Sequence, residues 1–166
     1  YSSGRIYVTW RLYYPEGELL RAVDYYQGKR DGSYTEYTRT GEIIAEGSYA
    51  DGERNGLWKV NAGDNTEEGE YILGLRNGEW KSYYPGGKLR FKGNYRQGNP
   101  EGHHTLYFEN GRTKEDRYYR NGFRTKTWKK YNELGEIILT ITYRDDIETS
   151  INGVPTGLQS SIKRIK

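Results

Sequence analysis

Few side chains in this sequence have the type and spacing that chemistry requires. The two histidines are adjacent, His103-His104. On an extended strand they point to opposite faces, whereas a metal site needs converging ligands. Carboxylates are plentiful, but they recur at matching places along the chain or sit in turns, as Asp145-Asp146 does. A hydrolytic pair would have to converge on one cleft. The 166-residue chain has no cysteine, which removes thiol nucleophiles, zinc clusters and disulfides. The Gly-x-Gly-like strings are turn glycines with no helix after them, so they lack the context of a phosphate loop. No nucleophile–base pair is visible. The reading is of a chain that is not an enzyme and uses no metal or cofactor.

Rings and cations are the remaining candidates. Trp10, Trp58, Trp80 and Trp128, with Lys59 and Lys81 and with Tyr83, Tyr107 and Tyr131, form the candidate binding surface. Only 33% of the residues are hydrophobic and 30% are charged, with a mean hydropathy of −1.07. Such values suggest disorder, but 18 Tyr, 4 Trp and 3 Phe at regular places argue against it. With little aliphatic surface to bury, a thin structure in which each unit packs on its neighbours is expected. Net charge is +3 with the two signs interspersed, so the concentrated basic face of a nucleic-acid binder is absent. No segment approaches the ~20 apolar residues of a bilayer-spanning helix. The chain opens Tyr1-Ser2-Ser3-Gly4 without Met and without a signal peptide, which reads as a processed or truncated form.

The elements that must position these residues repeat. Gly28, Gly52, Gly74, Gly98 and Gly122 step by 24, 22, 24 and 24 residues. Gly17, Gly41, Gly63, Gly87, Gly111 and Gly135 take the same steps, as do Tyr25, Tyr49, Tyr71, Tyr95, Tyr119 and Tyr143. A third series, Gly32, Gly56, Gly78 and Gly102, continues at Lys126, where glycine is replaced. All columns skip two residues at one place, where Asn61-Ala62-Gly63 stands for the longer Tyr83-Tyr84-Pro85-Gly86-Gly87. The chain is thus about six copies of a two-strand unit over residues 4–146, with a non-repeat cap at 147–166. Aromatic runs bounded by Asn-Gly, Asp-Gly and Gln-Gly pairs read as strands joined by hairpins. Asn77-Gly78, Asn110-Gly111, Asn121-Gly122, Asp51-Gly52 and Asp31-Gly32 are assigned to those turns. The expected fold is all-β, an elongated single-layer antiparallel sheet.

Strand parity divides the residues between faces. Trp10, Tyr34, Trp58, Trp80, His104 and Trp128 share one; Lys59, Lys81, Tyr83, Tyr107 and Tyr131 share the other. On the second strand of each unit, Leu19, Ile43, Leu89 and Ile137 are placed on the face of the recurring tyrosine. The same face holds a small-residue column, Gly47, Gly69 and Gly93, over which a ring of the adjacent strand is expected to lie. Each ring can be a cross-strand rung or a recognition surface.

The stretch Trp80-Lys81-Ser82-Tyr83-Tyr84-Pro85-Gly86-Gly87-Lys88-Leu89 with Tyr95-Arg96-Gln97-Gly98 resembles the MORN-repeat variant of bacterial proteins labelled YwqK-family antitoxin. Tyr13-Tyr14-Pro15-Glu16-Gly17-Glu18-Leu19 matches the same pattern. The resemblance implies successive hairpins in one long twisted sheet, and a scaffold for protein or membrane interaction. The functional expectation is a non-catalytic module whose partner is a protein. A carbohydrate or cell-wall ligand and neutralisation of a toxin are the alternatives, and open edge strands permit self-association. The resemblance tilts location towards export or the cell envelope, while the lack of cysteine suits the cytoplasm equally.

Overall fold

The computed structural model describes residues 7–156, with the side chain of Ala62 left out. They form one antiparallel sheet of 15 strands that follow each other in chain order with one exception. Unit one is β1 (Val8–Tyr13) and β2 (Leu19–Tyr26); unit two is β3 (Lys29–Tyr37) and β4 (Ile43–Ala50); unit three is β5 (Glu53–Ala62) and β6 (Asn65–Ile72). Unit four is β7 (Leu75–Tyr83) and β8 (Leu89–Arg96), and unit five is β9 (Asn99–Tyr107) and β10 (Thr113–Arg120). Unit six is β11 (Phe123–Arg124), β12 (Lys126–Tyr131) and β13 (Ile137–Arg144). The exception falls here, where β11 and β12 both pair with β10. β14 (Ile147–Ile151) and β15 (Val154–Pro155) continue the sheet beyond β13, while the rest of the expected cap lies outside the described residues.

Two kinds of turn alternate. Between units, pairs such as Gln27-Gly28 and Asn121-Gly122 put both residues at positive φ (48° and 80°, 51° and 88°). That is the mirror-image turn whose twist matches the flanking strands. Within a unit, the Gly17 N–H donates to the Tyr14 carbonyl at 3.0 Å and Tyr14 N–H to Glu18 O at 2.8 Å, a three-residue loop ending on a left-handed glycine. The shortened unit replaces that loop by the pair Gly63-Asp64, between Ala62 and Asn65.

Two of the pairs assigned to turns are not turns. Asp31-Gly32 lies inside β3 and Asn77-Gly78 inside β7. At each of these places the second of two facing strands carries two extra residues: Asn77 faces Glu70 and Trp80 faces Gly69, leaving Gly78 and Glu79 between. The positive φ of Gly32, Gly56, Gly78 and Gly102 serves this bulge, which bends the strand. Lys126 occupies the same site at φ 58°. A left-handed L-residue costs roughly 1–2 kcal/mol, so Lys126→Gly is expected to raise stability. The gain is about 0.5–1 kcal/mol, since the unfolded chain also gains freedom and the Lys126 ammonium leaves the Tyr118 ring. A urea midpoint reads the difference.

A second, single-residue bulge corrects the face of four aliphatics. Leu12 faces Arg21 but Tyr13 faces Leu19, leaving Leu20 extra. The same shift pairs Tyr37 with Ile43, Tyr83 with Leu89 and Tyr131 with Ile137. One extra residue moves a strand's side chains to the other face, so Leu19, Ile43, Leu89 and Ile137 lie with the lysines and not with the tyrosine ladder.

Candidate functional site

The tryptophan face is a continuous ladder of rings. Tyr34, Tyr49, Trp58, Tyr71, Trp80, Tyr95, His104, Tyr119, Trp128 and Tyr143 follow one another with centroids 4.9–6.4 Å apart, mostly edge to face. The glycine column makes this possible. A Cβ on Gly47 or Gly69 would lie well under 3.0 Å from the ring of Trp58 or Trp80, and one on Gly93 would meet His104. Each ring N–H also finds a backbone carbonyl ten residues earlier: Trp58 to Ser48 (2.9 Å), Trp80 to Glu70 (3.1 Å) and Trp128 to Tyr118 (3.1 Å).

His104 takes the tryptophan's place with the same bond, Nε2 to the Asn94 carbonyl at 2.7 Å. A carbonyl only accepts, so Nε2 carries the proton. Burial holds the His104 pKa below its usual 6.5, and Arg117 and His103 add to the effect. The native state therefore binds fewer protons than the unfolded state between that lowered value and 6.5. This contribution is full above 6.5 and is lost as pH falls through the window. The urea midpoint is expected to drop from pH 7 to pH 5, and less so in His104→Gln, which keeps an N–H donor but does not titrate.

An arginine column covers the ladder, and no sequence expectation included it. The Arg54 guanidinium lies 4.3 Å from the Trp58 centroid and Arg76 lies 4.1 Å from that of Trp80. The signal was present: Arg30, Arg54, Arg76 and Arg124 stand four residues before Tyr34, Trp58, Trp80 and Trp128. Where His104 replaces the tryptophan, Pro100 replaces the arginine.

The structure divides the candidate binding residues between the two faces. Trp58 and Trp80 are 2% and 3% exposed, inside the ladder. Trp128 is half-buried, because Arg117 stands in its glycine position and lies over the ring at 5.5 Å. Trp10 is 67% exposed on β1, with Tyr25 as its ring neighbour. Lys59, Lys81, Tyr83, Tyr107 and Tyr131 lie on the opposite face, exposed or half-buried.

That opposite face holds a trough of about 680 Å³ across units two to four. Ser33 and Thr35 of β3, Glu46 and Ser48 of β4, Leu57 and Lys59 of β5, Glu68 of β6, and Glu79 and Lys81 of β7 line it. The rings of Tyr34 and Trp58 face away and Gly47 and Gly69 have no side chain, so the backbone of these four residues is its floor. Charges alternate across the strands: Lys59 faces Glu46 on one side and Glu68 on the other, and Lys81 faces Glu68. Glu79 bridges Lys81 (2.9 Å) and Lys92 (2.8 Å), and these hydrogen bonds hold its pKa below the usual carboxylate value. Tyr83 donates to Glu68, and burial together with that bond pushes its pKa up to about 12. Farther along, His103 Nε2 lies 2.7 Å from Asp116, whose other oxygen accepts from Tyr131 at 3.0 Å, and the imidazole stacks on Tyr118 at 4.5 Å.

The open sheet and its buried ladder define a β-hairpin repeat protein. Residues 30–51 and 76–97 match the family described as MORN repeat variant. These segments are units two and four, the two that frame the trough. No curated protein is significantly similar to the chain. MORN repeats are generally protein- or membrane-interaction repeats.

Proposed function

We propose that the chain is a non-catalytic protein-interaction scaffold whose working surface is the trough face. One observation carries this reading. From Tyr34 to Tyr143 the ladder is consumed by its own packing, while the trough face presents regularly spaced charges over three units, with Tyr83 reaching in to donate to Glu68. An extended polar surface of this kind suits a polypeptide partner, with complementary charge setting its register. A glycan platform would use exposed tryptophan, and Trp58 and Trp80 do not offer it. Toxin neutralisation is one form that a protein partnership of this kind takes.

A photo-crosslinking side chain at Ser48, in the trough, is expected to capture the partner, whereas one at the exposed Lys130 on the ladder face is not. Equal capture from both positions, or capture from Lys130 alone, would sink the reading. A glycan-array signal lost in Trp10→Ala would favour the carbohydrate alternative. Hydrolytic turnover abolished by His103→Ala would overturn the non-catalytic part.

A further inference from the structure

The two-residue turns between units share one geometry, with the first residue at φ between 48° and 52°. In four of them that residue is Gln27, Asp51, Gln97 or Asn121; in the turn after unit three it is Leu73 at φ 50°. Leucine is disfavoured in the left-handed region, where Asn and Asp are enriched, and this one is 74% exposed. Ile72 and Leu75, which pair across the same turn, are exposed beside it. Leu57, 78% exposed, faces Glu70, two residues from Ile72 on the same side of the sheet. Strain and exposed apolar surface thus coincide at the turn-side rim of the trough, and that coincidence points to function.

The charges around this patch choose its occupant. The Glu53 carboxylate lies against Gly74, and Glu70 stands between Leu57 and the turn. Neither makes an ion pair or a side-chain hydrogen bond among the described residues. The cation on the same face, Lys59, lies between Glu46 and Glu68, and the cations on the ladder face are engaged, Arg54 over Trp58 and Tyr71 and Arg76 with Glu67 at 2.7 Å. An apolar knob in an acidic setting repels an anionic bilayer and attracts basic polypeptide. We propose that Leu57, Ile72, Leu73 and Leu75 are the anchor site for a polypeptide segment that presents an apolar side chain flanked by Lys or Arg, with Glu53 and Glu70 receiving the bases. This rests on the reading of the trough face as the partner-binding surface.

The test uses the full chain and three fluorescent synthetic peptides: a leucine core between lysine pairs, the same core between glutamate pairs, and a serine core between lysine pairs. Anisotropy is expected to show the first peptide binding at least about tenfold more tightly than the other two, the loss expected when an interface residue that contributes more than about 1 kcal/mol is missing. Leu73→Asn should weaken the first peptide by about tenfold, and Glu70→Gln by a few-fold. Leu73→Asn should melt no lower than the parent, because Asn tolerates φ near 50°, so lost binding cannot be lost folding. Unchanged affinity in Leu73→Asn, equal binding of the glutamate-flanked peptide, or no binding of any of the three overturns the anchor. So does flotation of the parent, but not of Leu73→Asn, on phosphatidylserine–phosphatidylcholine vesicles without peptide binding, which would assign the knob to a bilayer. Any of these results beside continued capture from Ser48 leaves the scaffold standing without this anchor; loss of capture from Ser48 removes the scaffold itself.

Discussion

Trp58→Ala is expected to destabilise the protein by about 3–5 kcal/mol, the range for deleting a large buried aromatic. The indole is 2% exposed and lies between Gly47 and Gly69, neither of which has a side chain to move into the space. Its loss also strips Tyr34, Tyr49 and Tyr71 of a ring neighbour, leaves the Ser48 carbonyl without its indole donor and removes the ring under Arg54. A site walled by glycines and strand backbone collapses poorly, which places the cost in the upper part of the range. In a repeat array each unit contacts only its neighbours. The damage should therefore be local: faster amide exchange across β4, β5 and β6, with β12 and β13 keeping their protection. A midpoint within experimental error of the parent would show that the ladder is not the core.

Gly69→Ala carries the second largest expected effect and tests the same packing from the backbone side. Gly69 faces Trp58 on one strand and Trp80 on the other. The added methyl would lie well under 3.0 Å from the Trp80 ring. Unlike the turn glycines, Gly69 is not at positive φ, so the cost is steric. Overpacking of this sort costs about 1–3 kcal/mol and forces the ring from its rotamer. The same change at Gly28, where a Cβ meets nothing within 4 Å, tests backbone strain at φ 80° instead. Tryptophan fluorescence should therefore shift in Gly69→Ala and not in Gly28→Ala. An unshifted spectrum with parental stability in Gly69→Ala would mean that the glycine column does not seat the rings.

Val23 and Arg117 show the rule from its exceptions. Val23 is tolerated in the glycine column because the ring on the following strand is Tyr34, while Trp10, which faces Val23 from β1, is 67% exposed. Arg117 is tolerated because its guanidinium lies over the Trp128 ring at 5.5 Å and pairs with Glu115 at 2.8 Å.

Much of this was legible because it is periodic. Glycine and tyrosine columns report the hairpin unit and its single two-residue deletion, and strand parity separates Trp58 and Trp80 from Lys59 and Lys81. The apposition of ring and glycine was also legible, since a strand interior keeps glycine where something approaches closely. The places of Leu19, Ile43, Leu89 and Ile137 were not, because one bulged residue reverses a face and no residue type announces it. Asp31-Gly32 and Asn77-Gly78 read as turns for a related reason: left-handed glycine serves a bulge as well as a hairpin.

The sequence by itself thus determined an all-β repeat, its hairpin period and which side chains share a strand face, since these follow from local backbone preference and alternation. Only the tertiary structure decided that Trp58 and Trp80 are interior while Trp10 is exposed. The reason is that burial of a ring on a single sheet depends on the glycine and tyrosine of both flanking strands and on the arginine laid over it. The candidate chemistry lies accordingly on the other face, where the trough, its alternating charges and the Leu73 knob come together only once neighbouring units are in register.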